Sequence, residues 1–258
     1  MDLAFERRGT GEPLVLLHGI GHHWQAWLPV LDLLATERDV IAVDLPGFGA
    51  SPPLPPGTPY TVESLADAVE TFCARLGVTE PHVAGTSLGG HLALELASRG
   101  TVRTATALSP VGFWNRSELV YSRAVLRASR ALAFALDSAR GEAIAAGPLG
   151  HTLAAGLLVA HPSRLSTRDL SEARQALRRA PGFDDTLDSF VWLMPPAPPK
   201  TPITIAWGER DRLFSRRQAV RAARWSGQRV RLLRDCGHLP MNDDPALVAR
   251  VLLEGSRI

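Results

Sequence analysis

Lysine is nearly absent from this 258-residue chain: Lys200 stands alone beside 27 arginines. So strong an arginine excess invites a nucleic-acid reading, yet the formal net charge is only +2. Phosphate backbones are bound by clustered positive charge. Within 111–199 ten arginines are offset by eight acidic residues. The densest tract, nine arginines from Arg210 to Arg234, crosses a predicted strand and helix and reads as a solvated face. The bias is assigned to codon usage, and no nucleic-acid partner is expected. Cysteine is scarce too: two thiols, Cys73 and Cys236, make no disulfide framework, which fits a reducing cytoplasm. The opening "MDLAFERRGTG" lacks the apolar core of a secretory signal. The most apolar stretch, "IAAGPLGHTLAAGLLVAH" (144–161), is broken by Gly147-Pro148 and His151 and makes a poor membrane span.

Two motif classes are also missing. His18, His22 and His23 match no H-E-x-x-H pattern and have no paired cysteine or acidic ligands beside them, so no metal is expected. "DLPGFGAS" (44–51) holds a G-x-G without the third glycine or the helix opening of a dinucleotide site, so it reads as a turn. No cofactor is expected. What remains is an ordinary cytoplasmic globular protein with no membrane or nucleic-acid partner, a monomer or homodimer, 45% hydrophobic and 21% charged. It is long enough to bury one sizeable core.

Within that core, apolar runs alternate with amphipathic stretches. "PLVLLHG" (13–19), "RDVIAVDLPG" (38–47), "PHVAG" (81–85) and "VRTATALSP" (102–110) read as buried strands. Thr61 can cap a helix with Leu65, Val69, Phe72 and Leu76 on one face. Such alternation implies a parallel sheet covered on both sides. From about 112 to 194 the chain is rich in Ala, Leu and Arg and reads as helical, with breaks at Gly147-Pro148, His161-Pro162 and Pro181-Gly182. "ITIAWG" (203–208), a helix and "RVRLLRD" (229–235) then resume the pattern. A last helix opens at Asp244-Pro245. The economical reading is one α/β core, in parts 1–111 and 200–258, carrying a helical lid at 112–199.

The chemistry centres on "VAGTSLGGH" (83–91), where Ser87 lies in a G-x-S-x-G pattern between a buried strand and a helix. Small residues at Gly85 and Gly89 allow a sharp turn that exposes the Ser87 hydroxyl at the carboxyl edge of the sheet. The free N–H of Leu88, in the first turn of the helix, points where an oxyanion could form. A serine hydroxyl is a weak nucleophile and needs a base. Of eight histidines, His238 follows the last predicted strand and would reach the same edge; His82, His91, His151 and His161 read as packing or surface residues. The base needs an acid to fix its tautomer. Asp211, just beyond strand 203–207, is chosen over its rivals Glu209 and Asp235. After the fourth strand the chain reads "LSPVG" and offers no acid.

With these residues in place the chain resembles the α/β-hydrolases. It carries Ser87, Asp211 and His238 in the family's order, with "HG" at 18–19, "DLPGFGAS" at 44–51, "WGERD" at 207–211 and "GH" at 237–238. The resemblance implies an eight-stranded, mostly parallel sheet with helices on both faces and a helical cap inserted after the sixth strand. It implies that the backbone N–H of Ile20 joins that of Leu88 in the oxyanion hole, and that His18 bonds the backbone. His22 and His23 follow that loop, and His22 is the candidate for the substrate entrance. Trp24 and Trp27 read as packing residues.

The fold hosts several chemistries. Relatives that open epoxides or remove halide use an aspartate nucleophile, and this chain has serine and only two tyrosines, Tyr60 and Tyr121. The expectation is acyl transfer: hydrolysis of carboxylic esters of small to medium apolar substrates. The alternatives are lactonase or thioesterase activity, hydrolysis of a carbon–carbon bond in a ring-cleavage diketone, and a slow-turnover receptor. "SLGGHLALE" lacks the arginine that diketone hydrolases often carry after the nucleophile, and no triad member is lost as in a retired enzyme.

Overall fold

The structure is a computed structural model that describes residues 1–138, 141 and 155–257. Seven strands form one sheet: β1 (Phe5–Arg8), β2 (Pro13–Leu17), β3 (Asp39–Val43), β4 (His82–Thr86), β5 (Thr104–Leu108), β6 (Ile203–Gly208) and β7 (Arg231–Leu233). Their spatial order is β1-β3-β2-β4-β5-β6-β7. Only β1 runs antiparallel, paired with β3. Eight strands were implied by the resemblance, and seven are present among the described residues. The edge explains why nothing is added beyond β1. Its "FERR" sequence carries Arg7, which forks onto Asp39 at 2.8 and 2.6 Å, and Arg8, which reaches Glu6 and Asp32. Charged side chains on an edge strand discourage further pairing.

The central strands β3, β4 and β5 are buried along their whole length, as a sheet covered on both faces requires. Side chains alternate between the two faces. Val15, Leu17, Ile41 and Val43 join one hydrophobic cluster, while Leu14, Leu16, Val40 and Ala42 join the other. The first cluster is completed by α2 (Val62–Arg75), α3 (Leu88–Arg99) and α7 (Arg216–Ser226), the second by α1 (Leu28–Ala35) and α8 (Pro245–Gly255). The predicted helix starts hold: Thr61 caps α2 at Ser64 N, and Asp244 caps α8 at Leu247 N with Pro245 in the first turn. Four of the predicted strands, 13–19, 38–47, 102–110 and 229–235, are too long by a few residues, because the flanking residues are spent on turns, whereas 203–208 coincides with β6 and 81–85 is offset by one residue from β4.

Between β5 and β6 the described residues form helices and no strand: α4 (Arg116–Ala135), α5 (Thr167–Arg178) and α6 (Phe183–Ser189). Asn115 with Glu118 and Ser166 with Asp169 make capping boxes for α4 and α5, and these two helices pack on each other. A 3-10 turn at Pro162–Arg164 follows His161, and α6 starts after Gly182, as the expected breaks require. The expected break at Gly147-Pro148, and His151, lie outside the described residues. Among the described residues no helix is long and apolar enough to cross a membrane.

Candidate active site

Ser87 joins β4 directly to α3 and holds φ +56° and ψ −114°, a region that residues with a Cβ rarely occupy. Main-chain bonds fix the strain. Ser87 N donates to Leu108 O at 2.9 Å, and Ser87 O accepts from His91 N and Val111 N. The flanking glycines are steric requirements. A Cβ on Gly85 would lie 2.0 Å from Gly89 O, and one on Gly89 would lie 2.1 Å from Leu17 O. Although Ser87 occupies the N-cap position of α3, its side chain makes no cap bond, so the hydroxyl stays free of the helix.

That missing cap leaves the first-turn N–H groups of α3 open, and Leu88 N has no acceptor among the described residues. Neither does Ile20 N. Its loop lies against the serine, since a Cβ on Gly19 would fall 3.2 Å from Ser87 Cβ. The loop is tied by His18, which is fully buried. His18 Nε2 accepts from Leu45 N at 3.0 Å and Nδ1 bonds Gly19 O at 2.7 Å. Both bonds fit one neutral tautomer, and burial pushes the His18 pKa down to about 3. Asp44 holds the far end of the loop, accepting from Trp24 N at 2.6 Å and Ala50 N at 2.8 Å; burial raises its pKa against those two bonds.

Asp211 and His238 come together from the loops after β6 and β7. His238 Nδ1 lies 2.8 Å from Asp211 Oδ2, and both side chains are almost wholly buried. Asp211 Oδ1 accepts from Leu213 N and Phe214 N, which aims the carboxylate, and Phe214 packs edge-on against the imidazole at 4.6 Å. The rival acids are elsewhere. Asp235 has φ +61° and pairs with His161 and Arg210, and Glu209 reaches Asp235 N. Ser87 and His238 open onto one cavity, but no hydrogen bond joins them among the described residues. Such bonds commonly tighten when substrate arrives.

Strand, strained serine, helix and the Asp–His pair thus occupy one edge of a mostly parallel sheet. The sequence profile of the alpha/beta hydrolase fold matches residues 12–245. The chain belongs to the α/β-hydrolase family. It is 39% identical over 114 residues to the dihydrolipoyllysine-residue acetyltransferase component of the acetoin cleaving system of Cupriavidus necator, which covers 43% of this chain and 30% of that protein. It is 41% identical over 97 residues to a pimeloyl-[acyl-carrier protein] methyl ester esterase of Aeromonas hydrophila, covering 38% of this chain and 36% of that one. The chain therefore spans about a third of the length of these curated relatives. Among solved structures, a thermophilic esterase from Thermogutta terrifontis superposes with a TM-score of 0.72 over 98% of this chain and 92% of its own, at 23% identity. That likeness is one of fold.

The cavity of this α/β-hydrolase measures about 340 Å³. Val125, Leu126 and Leu132 of α4, with Leu158 and Leu213, line it with apolar surface. His22, His23 and Gln25, from the loop after β2, and Thr167, Ser171 and Glu172 of α5 add polar surface. His22 sits where burial drives its pKa down to about 3, helped by the neighbouring His18, His23 and His238. That favours the neutral imidazole. The remaining histidines have partners: His82 bonds Thr104 and Glu12, His91 bonds Val111 O, and His161 bonds Asp235. Trp27 is buried in the core. Cys236 is buried too, with its pKa pushed up to about 12 by burial. Among the described residues no three His, Cys, Asp or Glu side chains converge as a metal would require.

Two contributors had no sequence signal. Asp243, 5% exposed, accepts Gly237 N at 2.8 Å, Ala160 N at 3.0 Å and His161 N at 2.9 Å. It thereby ties the segment before α5 to the residue that precedes His238, a link reinforced by Leu239 N donating to Leu158 O at 2.8 Å. Gln25 is the other, a residue that lines the cavity only because of the way the loop turns.

Proposed function

We propose that this α/β-hydrolase is a serine hydrolase that cleaves carboxylic esters of small to medium apolar substrates through an acyl-enzyme. The observation that carries the reading is the strained Ser87, beside two amide donors without acceptors, on the cavity that also receives the Asp211-bound His238. In this reading Ser87 Oγ attacks the ester carbonyl carbon as its proton passes to His238 Nε2. Asp211 keeps Nδ1 protonated and stabilises the imidazolium. The N–H groups of Ile20 and Leu88 hold the oxyanion, each contributing about 3–4 kcal/mol at the transition state. Collapse breaks the carbon–oxygen bond, and His238 returns the proton to the departing alcohol. Water, deprotonated by His238, then releases the acid and restores the serine.

The helices between β5 and β6 act as a cap that excludes water, and the apolar side chains of α4 take the acyl chain. His22 belongs to the substrate-binding surface. Ester hydrolysis is also what the names of the Aeromonas relative and the Thermogutta structure state, which supports the choice of an ester bond. The test is hydrolysis of p-nitrophenyl esters from acetyl to dodecanoyl by wild type and Ser87→Ala. Ser87-dependent turnover with an optimum at short to medium chains is expected. Activity that rises only with the longest chains, or that survives Ser87→Ala, would overturn the reading.

A further inference from the structure

One part of the cavity wall carries polar groups that the proposed chemistry does not use. Gln25 Oε1 is buried without a hydrogen-bond partner. His22 and His23 line the same cavity, and among the described residues neither imidazole makes a hydrogen bond. The loop that carries them is held rigidly. Asp44 fixes Trp24 N, His22 N donates to Gly19 O, and a Cβ on Gly21 would strike Leu177 and Phe183 of the overlying helices. Rigid, unpartnered polar groups in an enclosed site are suited to hydrogen-bonding a ligand, because they have no competing partner to give up.

Their chemistry narrows the ligand. Burial keeps His22 and His23 neutral, and a glutamine amide is neutral by nature. Together they offer donors and acceptors but no charge. Asp169 and Glu172 line the cavity as well, with Asp169 bonded to Ser166 and Glu172 paired with Arg168, and His23 lies within reach of the field of Glu172. An anionic group gains no charge partner from His22, His23 or Gln25. Arg174 also lines the cavity but is engaged in an interaction of its own. The α4 side, by contrast, offers aliphatic surface suited to a chain.

Resting on the ester-hydrolase reading, we infer that the substrate is an ester with an apolar chain and, at its other end, an uncharged hydroxyl or amide group held by His22, His23 and Gln25. The probes are ethyl hexanoate, glyceryl monohexanoate, ethyl 6-hydroxyhexanoate and monoethyl adipate, compared by kcat/KM. At least one hydroxylated ester is expected to exceed ethyl hexanoate by about tenfold, the discrimination that one or two neutral hydrogen bonds supply. The glyceryl and 6-hydroxy arms distinguish a polar group on the alcohol from one on the acyl chain. Gln25→Leu and His22→Phe are each expected to bring that ratio towards one. The ratio is internal to each preparation, so a partly misfolded variant does not change it. Equal rates for ethyl hexanoate and both hydroxylated esters would overturn the inference while leaving the esterase reading intact. So would a ratio that neither substitution moves, or a preference for the carboxylate of monoethyl adipate. Failure to hydrolyse any of the four would remove the esterase reading and this inference with it.

Discussion

Asp243 is where a single substitution should damage both stability and rate. Its carboxylate accepts three main-chain N–H groups, those of Gly237 and Ala160 at Oδ2 and of His161 at Oδ1, at 2.8, 3.0 and 2.9 Å. Asp243→Ala leaves all three donors without their acceptor, that of Gly237 buried and those of Ala160 and His161 part-buried. A stranded buried donor costs about 1–3 kcal/mol. Even at the low end, three cost about 3 kcal/mol. For a domain of this size about 1 kcal/mol moves Tm by 2–4 °C, so the expected fall is roughly 6–12 °C. Asp243→Asn should fall in between. With its oxygen in the place of Oδ2 it keeps the bonds from Ala160 and Gly237, but its NH2 then faces the N–H of His161. Because Gly237 precedes His238, ester turnover per folded molecule should fall as well, read as kcat after active-site titration. Thermal unfolding followed by circular dichroism decides the stability part. An Asp243→Ala Tm within about 2 °C of wild type would refute the reasoning.

Gly85→Ala should yield no correctly folded protein, since its Cβ would lie 2.0 Å from Gly89 O, a main-chain atom that cannot move aside. A soluble variant with wild-type Tm would contradict that packing. The buried His18 makes folding acid-sensitive. Its folded pKa is about 3 against roughly 6.5 unfolded, so below pH 6.5 the unfolded chain gains a proton that the folded one refuses. The stability is fully present above pH 6.5 and is lost at about 1.4 kcal/mol per pH unit down towards pH 3. Unfolding free energies from urea titrations at pH 7 and pH 5 should differ by about 2 kcal/mol from this group alone, and equal free energies would contradict a neutral buried His18.

The parts of the fold and site legible in the sequence are those whose signal is local. The continuous apolar runs of β2 to β5 announce a sheet buried on both faces, and Thr61 and Asp244-Pro245 announce helix starts. Ser87, Asp211 and His238 could be expected at one place because each follows a strand end, and strand ends of a parallel sheet share an edge; the Asp211–His238 bond then joins two of them. Signals that depend on distant main chain stayed hidden. β1 is four residues of "FERR", too short and too charged to read as a strand, and it exists because β3 offers it a partner. Asp243 carried no signal, for its donors are peptide N–H groups up to 83 positions away, and peptide groups leave no mark in a sequence. Gln25 is equally silent, because nothing local says which way a 3-10 turn will face.

The most direct measurement is labelling with a fluorophosphonate, followed by mass spectrometry of the adduct in wild type, Ser87→Ala and His238→Ala. A single adduct on Ser87, absent from Ser87→Ala and strongly slowed in His238→Ala, is the predicted result. An adduct on another residue, labelling that persists in Ser87→Ala, or no labelling of the folded wild type would contradict the assignment of Ser87 as the nucleophile.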